Sequence, residues 1–228
     1  MQKQKQQYFD DLGEDFENFM NDYDVARRRH LIFNDLLKNV DLENKKILEV
    51  GSGTGKMTEL IAKSTANITI LDIGERLVQS TAQQYNCLGV VGDACALPFD
   101  DVSFDLVISS ECIEHTLSPT QAIREMCRVC RPGGIVCITS PNKLWYPVLW
   151  LSIKTGIRHF RGIENWLFPY QAKSVMQTSQ MTNIVFSGCH LWPFQIQRTQ
   201  PVLKWLDNRF GRYLYLSMIN YGIRGIKK

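Results

Sequence analysis

Lys46-Ile47-Leu48-Glu49-Val50-Gly51-Ser52-Gly53-Thr54-Gly55 changes character halfway along. The first half is short and mostly apolar, the pattern of a strand covered on both faces. The second half alternates glycine with small hydroxylated residues, so the backbone can turn tightly and approach a neighbour closely. Lys56–Ser64 then reads as a helix. Strand, glycine turn and helix in that order form the unit at which a doubly wound sheet binds a nucleotide-like ligand. A plain strand-to-helix turn can carry the same glycines, so the surroundings have to discriminate.

Working outward, apolar runs alternate with helical patterns. Strands are expected at Asn67–Asp72, Leu88–Val91, Phe104–Ser109 and Gly134–Thr139, and helices at Glu75–Tyr85 and Thr120–Cys130. Strands joined through single helices imply a parallel sheet with helices on both faces. Tyr23–Val40 precedes the sheet as an expected helix. After it come a helix at Tyr170–Met181, a strand at Asn183–Phe186, a helix at Pro201–Phe210 and a final strand within Leu214–Ile226. Pro141–Pro169 reads as an insertion.

The ligand can be narrowed. Asp72 ends the second strand, 17 positions after Gly55 (72 − 55), where a carboxylate can accept bonds from both ribose hydroxyls. The dinucleotide fingerprint G-x-G-x-x-G needs glycine at position 56, and this chain has Lys56. Glu49 beside the glycines disfavours a diphosphate and favours an amino group. An adenosine with a cationic tail fits better than a dinucleotide.

These residues resemble the class I S-adenosylmethionine (SAM) dependent methyltransferases. Four motifs occur in order: Glu49-Val50-Gly51-Ser52-Gly53-Thr54-Gly55, Leu71-Asp72-Ile73, Gly92-Asp93-Ala94 with Leu97-Pro98-Phe99, and Arg131-Pro132-Gly133-Gly134. Ser103–Ile108 resembles the strand before the active site, and coverage is residues 45–140. The nearest pattern is the ubiquinone-biosynthesis O-methyltransferase and small-molecule branch. The resemblance implies a three-layer α/β/α doubly wound, Rossmann-like sheet of seven strands, mostly parallel with the last antiparallel. It implies one domain over 1–228: an N-terminal lid and helices at 1–44, the SAM-binding core at 45–140, and an acceptor-binding elaboration at 141–228. By the same resemblance, Glu49, Gly51 and Gly53 back the methionine part, Asp72 binds the ribose and Ile73 flanks the adenine. Asp93 takes the adenine amino group, the Ala94 amide lies at the ring, and Ser110 joins the cofactor shell. Arg29, chosen from Arg27–Arg29, reaches the SAM carboxylate. Tyr8 and Phe9 suit a mobile N-terminal lid over the cofactor and suit a disordered tail equally.

After the fourth strand comes Ser109-Ser110-Glu111-Cys112-Ile113-Glu114-His115. In this fold that strand end faces the SAM methyl group. Methyl transfer needs alignment above all, and a hydroxyl acceptor gains from losing its proton, which an imidazole can take near neutral pH. His115 is therefore the candidate base, oriented by Glu111 or Glu114. In a helix the three would share one face. They could then hold a divalent cation, as small-RNA 3′-terminal ribose 2′-O-methyltransferases resembling this pattern do, with His159 or His190 as a further ligand. They could equally form a hydrogen-bonded strut. No metal is expected. The expected reaction is methyl transfer from SAM to an oxygen of a small or lipid-linked acceptor, leaving S-adenosyl-L-homocysteine. The alternatives are a metal-assisted RNA ribose methyltransferase and a non-catalytic SAM-binding subunit. A nucleic-acid partner is not expected, because no RNA-binding module signature is present.

Composition sets the remaining bounds. With 228 residues, 44% hydrophobic and 21% charged, the chain matches a globular average, which excludes collagen-like, low-complexity and disordered classes. No apolar run reaches the ~18–20 residues of a spanning helix. Met1–Asp15 lacks the apolar core of a signal peptide, so a cytoplasmic location is expected, with peripheral contact at the inner membrane face as its extension. The net charge of +3 hides an asymmetry: residues 1–140 hold 14 Lys+Arg against 21 Asp+Glu, residues 141–228 hold 12 against 2. The same C-terminal third carries all five Trp. Its apolar run Leu144–Ile153, followed by Lys154, Arg158 and Arg161, suits an anionic membrane interface across 144–168, where each basic residue contributes about 1 kcal/mol. It suits a pocket lid as well, with Trp145, Tyr146, Trp166, Phe168 and Trp192 as acceptor walls. Seven scattered cysteines, including Cys127-x-x-Cys130, are expected as free thiols.

Overall fold

The computed structural model describes residues 21–65, 67–156 and 164–228. The expectations for Tyr8, Phe9, Arg158, His159 and Arg161 lie outside them. The sheet has seven strands: β1 (Ile47–Val50), β2 (Ile68–Asp72), β3 (Leu88–Val91), β4 (Phe104–Ser110), β5 (Cys130–Pro141), β6 (Met181–Cys189) and β7 (Asn220–Lys227). Their order is β3-β2-β1-β4-β5-β7-β6. The strands from β3 to β5 pair in parallel, and β7 runs antiparallel between β5 and β6. The chain thus has the mixed, mostly parallel methyltransferase sheet that the motifs imply.

Central strands are mostly apolar because both faces are covered. Every residue of β1 and β2 is buried. Leu48, Val50, Leu71, Val107 and Ile138 join one core cluster, beneath α4 (Pro119–Val129) and α6 (Pro169–Thr178). Ile47, Ile70, Leu106 and Ile108 join the other, with Ile61 of α2 (Thr58–Ala62) and Leu31, Ile32, Leu36 and Leu37. The period-two alternation of the strands therefore feeds two cores and sets the three layers. Helix α3 (Glu75–Tyr85) covers β2 and β3 and stops at Asn86, whose φ of 50° is left-handed.

Several bounds differ from expectation for physical reasons. The Tyr23–Val40 helix is α1 (Asp22–His30) followed by a wide turn of π-helix, Leu31–Leu36, closed by the Leu37 amide on the Ile32 carbonyl at 2.8 Å. Leu31 and Leu36, and Ile32 and Leu37, are five apart, and the i→i+5 turn buries all four together. Strand β6 is longer than expected. Asn183, at φ 48°, sits in a register shift between Thr182 and Val185 that breaks the alternation. Helix α7 (Gln200–Leu214) also extends beyond the expected range. The insertion after β5 begins and ends at one point: Asn142 bridges Leu167, and the Lys143 amide donates to the Leu167 carbonyl at 3.2 Å. It contains α5 (Tyr146–Lys154). Cys127 and Cys130 are free and buried, and burial pushes both thiols up to about 12, so they are inert at neutral pH.

Candidate active site

The site lies along the carboxyl ends of β1, β2, β4 and β5. The glycine turn leaves β1 with the Gly51 amide donating to the Leu71 carbonyl at 2.7 Å. Asp72 grips the turn: its carboxylate accepts from the Gly53 amide at 2.9 Å and the Gly74 amide at 3.1 Å. Thr81 of α3 donates to the Gly53 carbonyl at 3.0 Å. Gly53 sits at φ +50°, and a Cβ there would meet nothing within 4 Å, so the crest of the turn faces open space. Ser52 Oγ and Thr54 Oγ1 are buried among the described residues without hydrogen-bond partners. An open crest with two orphaned hydroxyls and a carboxylate at the next strand end fits an adenosine derivative with a polar tail.

Glu49 lies beneath this turn, 2% exposed, and accepts from Thr58 Oγ1 at 2.6 Å. Burial pushes its carboxyl up to about 8, against the pull of the Thr58 bond. Asp93 fixes its own turn, accepting from the Cys95 amide at 2.9 Å, and Ala94 beside it is buried. Ile73 is half-buried next to Asp72. Ser110 Oγ pairs with Thr139 Oγ1 at 3.1 Å, tying β4 to β5. Arg29 is engaged elsewhere than expected: its guanidinium bonds the Lys56 carbonyl and Glu59 Oε2, the latter at 2.7 Å. It braces the start of α2, outside the turn.

The three candidate catalytic residues do not lie on one α-helical face. Glu111 adopts a left-handed φ of 50° and only Ile113–His115 forms a short 3₁₀ turn. A Cβ on Gly51 would lie 2.3 Å from Cys112 Sγ, so the glycine turn and the 111–115 segment are in direct contact. Glu111 and Glu114 are nevertheless brought together. Glu111 Oε2 accepts from Asn220 Nδ2 at 2.7 Å, and Glu114 Oε2 from Ser140 Oγ at 3.3 Å. Burial first, then mutual repulsion, raises Glu111 well above the ordinary carboxylate range; burial, then Glu164, raises Glu114. Arg28 opposes both shifts. Glu114 Oε1 lies 3.9 Å from His115 Nε2.

Arg28 is the residue that sequence reading missed. It sits on α1 with its side chain 13% exposed, paired with Asp24 at 2.7 Å. Three adjacent arginines point in three directions at 100° steps. Arg27 pairs with buried Asp207, Arg29 with Glu59, and only Arg28 acts on the carboxylates. Asn220 and Tyr221 of β7 were also unmarked, Asn220 being 109 positions from Glu111 with no local motif. The fully buried Tyr221 phenol is pushed up by burial, then by both glutamates. His190, a candidate further metal ligand, is turned to Asp24 at 3.0 Å. Among the described residues no group of three or more His, Cys, Asp or Glu has metal-holding geometry. Of the expected acceptor walls, Tyr146 and Trp166 meet edge to face at 5.8 Å, and Phe168 stacks on Tyr170. Trp145 donates to the Ser217 carbonyl, and Trp192 is held by Thr199 in the β6–α7 connection.

Residues 48–138 match the model of a methyltransferase domain. The matched segment belongs to the class I methyltransferase family. The cofactor of that family is SAM, and the cradle of Gly53, Ser52, Thr54 and Asp72 fits it. The chain is 35% identical over 52% of its length to a rice chloroplastic 2-methyl-6-phytyl-1,4-hydroquinone methyltransferase, covering 35% of that protein. It is 31% identical over 58% of its length to the demethylmenaquinone methyltransferase of Staphylococcus aureus, covering 61% of it. The chain thus spans from a third to three fifths of these relatives. In architecture it is similar to a SAM-dependent methyltransferase of Thermotoga maritima, with TM-score 0.71, 14% identity, and 96% and 98% of the two chains covered.

Proposed function

We propose that this chain transfers the methyl group of SAM to a hydroxyl oxygen of a small or lipid-linked acceptor of the phenol or hydroquinone class. The observation that carries the reading is the contact between the glycine turn and the 111–115 segment at Gly51 and Cys112. It supports a methyl donor held next to a segment that carries a histidine and two carboxylates. When bound, SAM supplies an electrophilic methyl group on a sulfonium.

The chain's own residues do the rest. Gly51 and Gly53 support the methionine part, Asp72 the ribose, Ile73 one face of the adenine, and Asp93 with the Ala94 amide its edge. Glu49 gains a counter-ion when an ammonium docks above it and then gives up its proton. Ser110 fixes the end of β4 beside the reacting atoms. His115 takes the acceptor's hydroxyl proton as its oxygen forms the bond to carbon, and the sulfur leaves with its electron pair. Glu114, 3.9 Å from the imidazole, balances the charge that His115 acquires. Burial holds Glu111 and Glu114 toward the neutral form, and the Arg28 guanidinium favours the carboxylate form as charge builds on His115. Arg29 acts as a brace for α2.

The two quinone-directed relatives support the acceptor class. They also favour a second reading, methyl transfer to a ring carbon, because a hydroquinone anion delocalises its charge onto the ring. The same deprotonation by His115 serves both. The test is turnover of methyl-labelled SAM with a prenylated hydroquinone, with the product resolved by mass and by methyl chemical shift. A methoxy product supports the first reading and a ring methyl the second. SAM binding without product from phenols or hydroquinones would favour a non-catalytic subunit and refute both.

A further inference from the structure

Helix α5 breaks the rule that governs the rest of the molecule. A helix as rich in apolar residues as this one belongs in a core, yet Tyr146, Val148, Trp150, Leu151 and Ile153 are each at least 40% exposed, as is Leu144 before it. Leu149 is the one buried hydrophobic residue of the helix. At 3.6 residues per turn the exposed side chains cover more than half of the circumference. Exposed Lys143 and Lys154 flank the helix, with Lys154 over the Trp150 ring at 5.1 Å. No Asp or Glu occurs between Pro141 and Ile163.

We propose that α5 is a bilayer-docking element that settles into the headgroup layer of an anionic membrane. The charge pattern selects that occupant, because apolar side chains flanked by Lys143 and Lys154, with no carboxylate between Pro141 and Ile163, match an acidic lipid surface. The breadth of the exposed arc points the same way. An arc this broad exceeds the single face that a flat protein partner covers, whereas lipid headgroups and acyl chains conform to it. Among the described residues no helix is long and apolar enough to cross a membrane, so the element lies on the bilayer.

The mount of the helix couples it to the site. Its foot is held by Asn142 and Leu167, by Trp145 on the Ser217 carbonyl at 3.0 Å, and by Tyr146 against Trp166. The far limb of the same neck reaches the catalytic segment: the Asn165 amide donates to the Glu114 carbonyl at 2.7 Å, and Asn165 Nδ2 to the Thr116 carbonyl at 2.8 Å. The surface assignment stands on α5 alone. Delivery of a lipid-linked acceptor across this neck to His115 rests on the function proposed above.

The test is co-sedimentation of the full chain with phosphatidylcholine vesicles, with and without phosphatidylglycerol. Wild type is expected to pellet with the acidic vesicles and to be released by salt. Val148→Asp with Leu151→Asp is expected to lower partitioning at least tenfold while S-adenosylhomocysteine binding stays at the wild-type level. Should that variant not fold, brominated phospholipid supplies an independent readout. It should quench wild-type tryptophan fluorescence, and Trp150→Phe should remove most of the quenching. Absence of pelleting, equal pelleting of the aspartate variant, or a dimer that this variant converts to a monomer would overturn the proposal. Wild type that pellets but does not bind S-adenosylhomocysteine would instead overturn the proposed function and leave the docking surface standing.

Discussion

Replacing Glu49 by Gln should make the protein more stable in mild alkali. The native carboxyl is 2% exposed and keeps its proton up to about pH 8, whereas the unfolded chain releases it near 4.5. Between those values the native state binds more protons than the unfolded state, so this group's contribution to stability falls as pH rises. The slope approaches 1.36 kcal/mol per pH unit. The shift of 3.5 units (8 − 4.5) sets a ceiling of about 5 kcal/mol, reached only above pH 8, with about 3 kcal/mol already lost by pH 7. Gln keeps an oxygen for the Thr58 hydroxyl and never ionises. Urea unfolding at pH 5, 6, 7 and 8, with a constant m-value, reads the difference directly. The variant should match wild type near pH 5 and gain on it steadily, by ~2–4 kcal/mol at pH 8. A difference that stays flat from pH 5 to 8 would refute the claim that burial holds this carboxyl neutral.

Three further substitutions separate cradle from catalysis. Asp72→Ala removes the acceptor for the Gly53 and Gly74 amides, so calorimetry should show S-adenosylhomocysteine binding weakened by ~1–3 kcal/mol; unchanged affinity would reject the ribose assignment. Gly53→Ala should fold, at a cost of ~1–2 kcal/mol for its left-handed φ, and lose ligand because its methyl group enters the open crest. Retained binding in that variant would place the ligand elsewhere. His115→Ala should keep ligand affinity and lower turnover by ~10²–10⁴, and a wild-type rate would make His115 structural.

What was legible in the chain follows from how local each signal is. Apolar runs buried on both faces gave β1, β2 and β4 within a residue, and the turn and cap residues bounded α3 at Glu75–Tyr85. The glycine turn and Asp72 lie within 22 residues (51 to 72), and their mutual bonds are what the motif encodes. Glu111 and Glu114 do come together in space, but not on one helical face. Helical spacing would put Glu111, Glu114 and His115 on one face, whereas Glu111 takes a left-handed φ where the segment packs against the glycine turn. Arg28 and Asn220 were invisible for the opposite reason. One is singled out from three arginines only by where α1 docks, and the other arrives on an antiparallel strand from 109 positions away.

The central claim is that the cradle formed by Gly51, Gly53 and Asp72 binds SAM without help from a metal. Calorimetric titration of the full chain with S-adenosylhomocysteine, with and without EDTA, tests it most directly. The account predicts one site per chain with micromolar affinity, identical in both conditions. Absence of binding to the full chain, with and without a hydroquinone acceptor present, would contradict it, and so would affinity that EDTA abolishes.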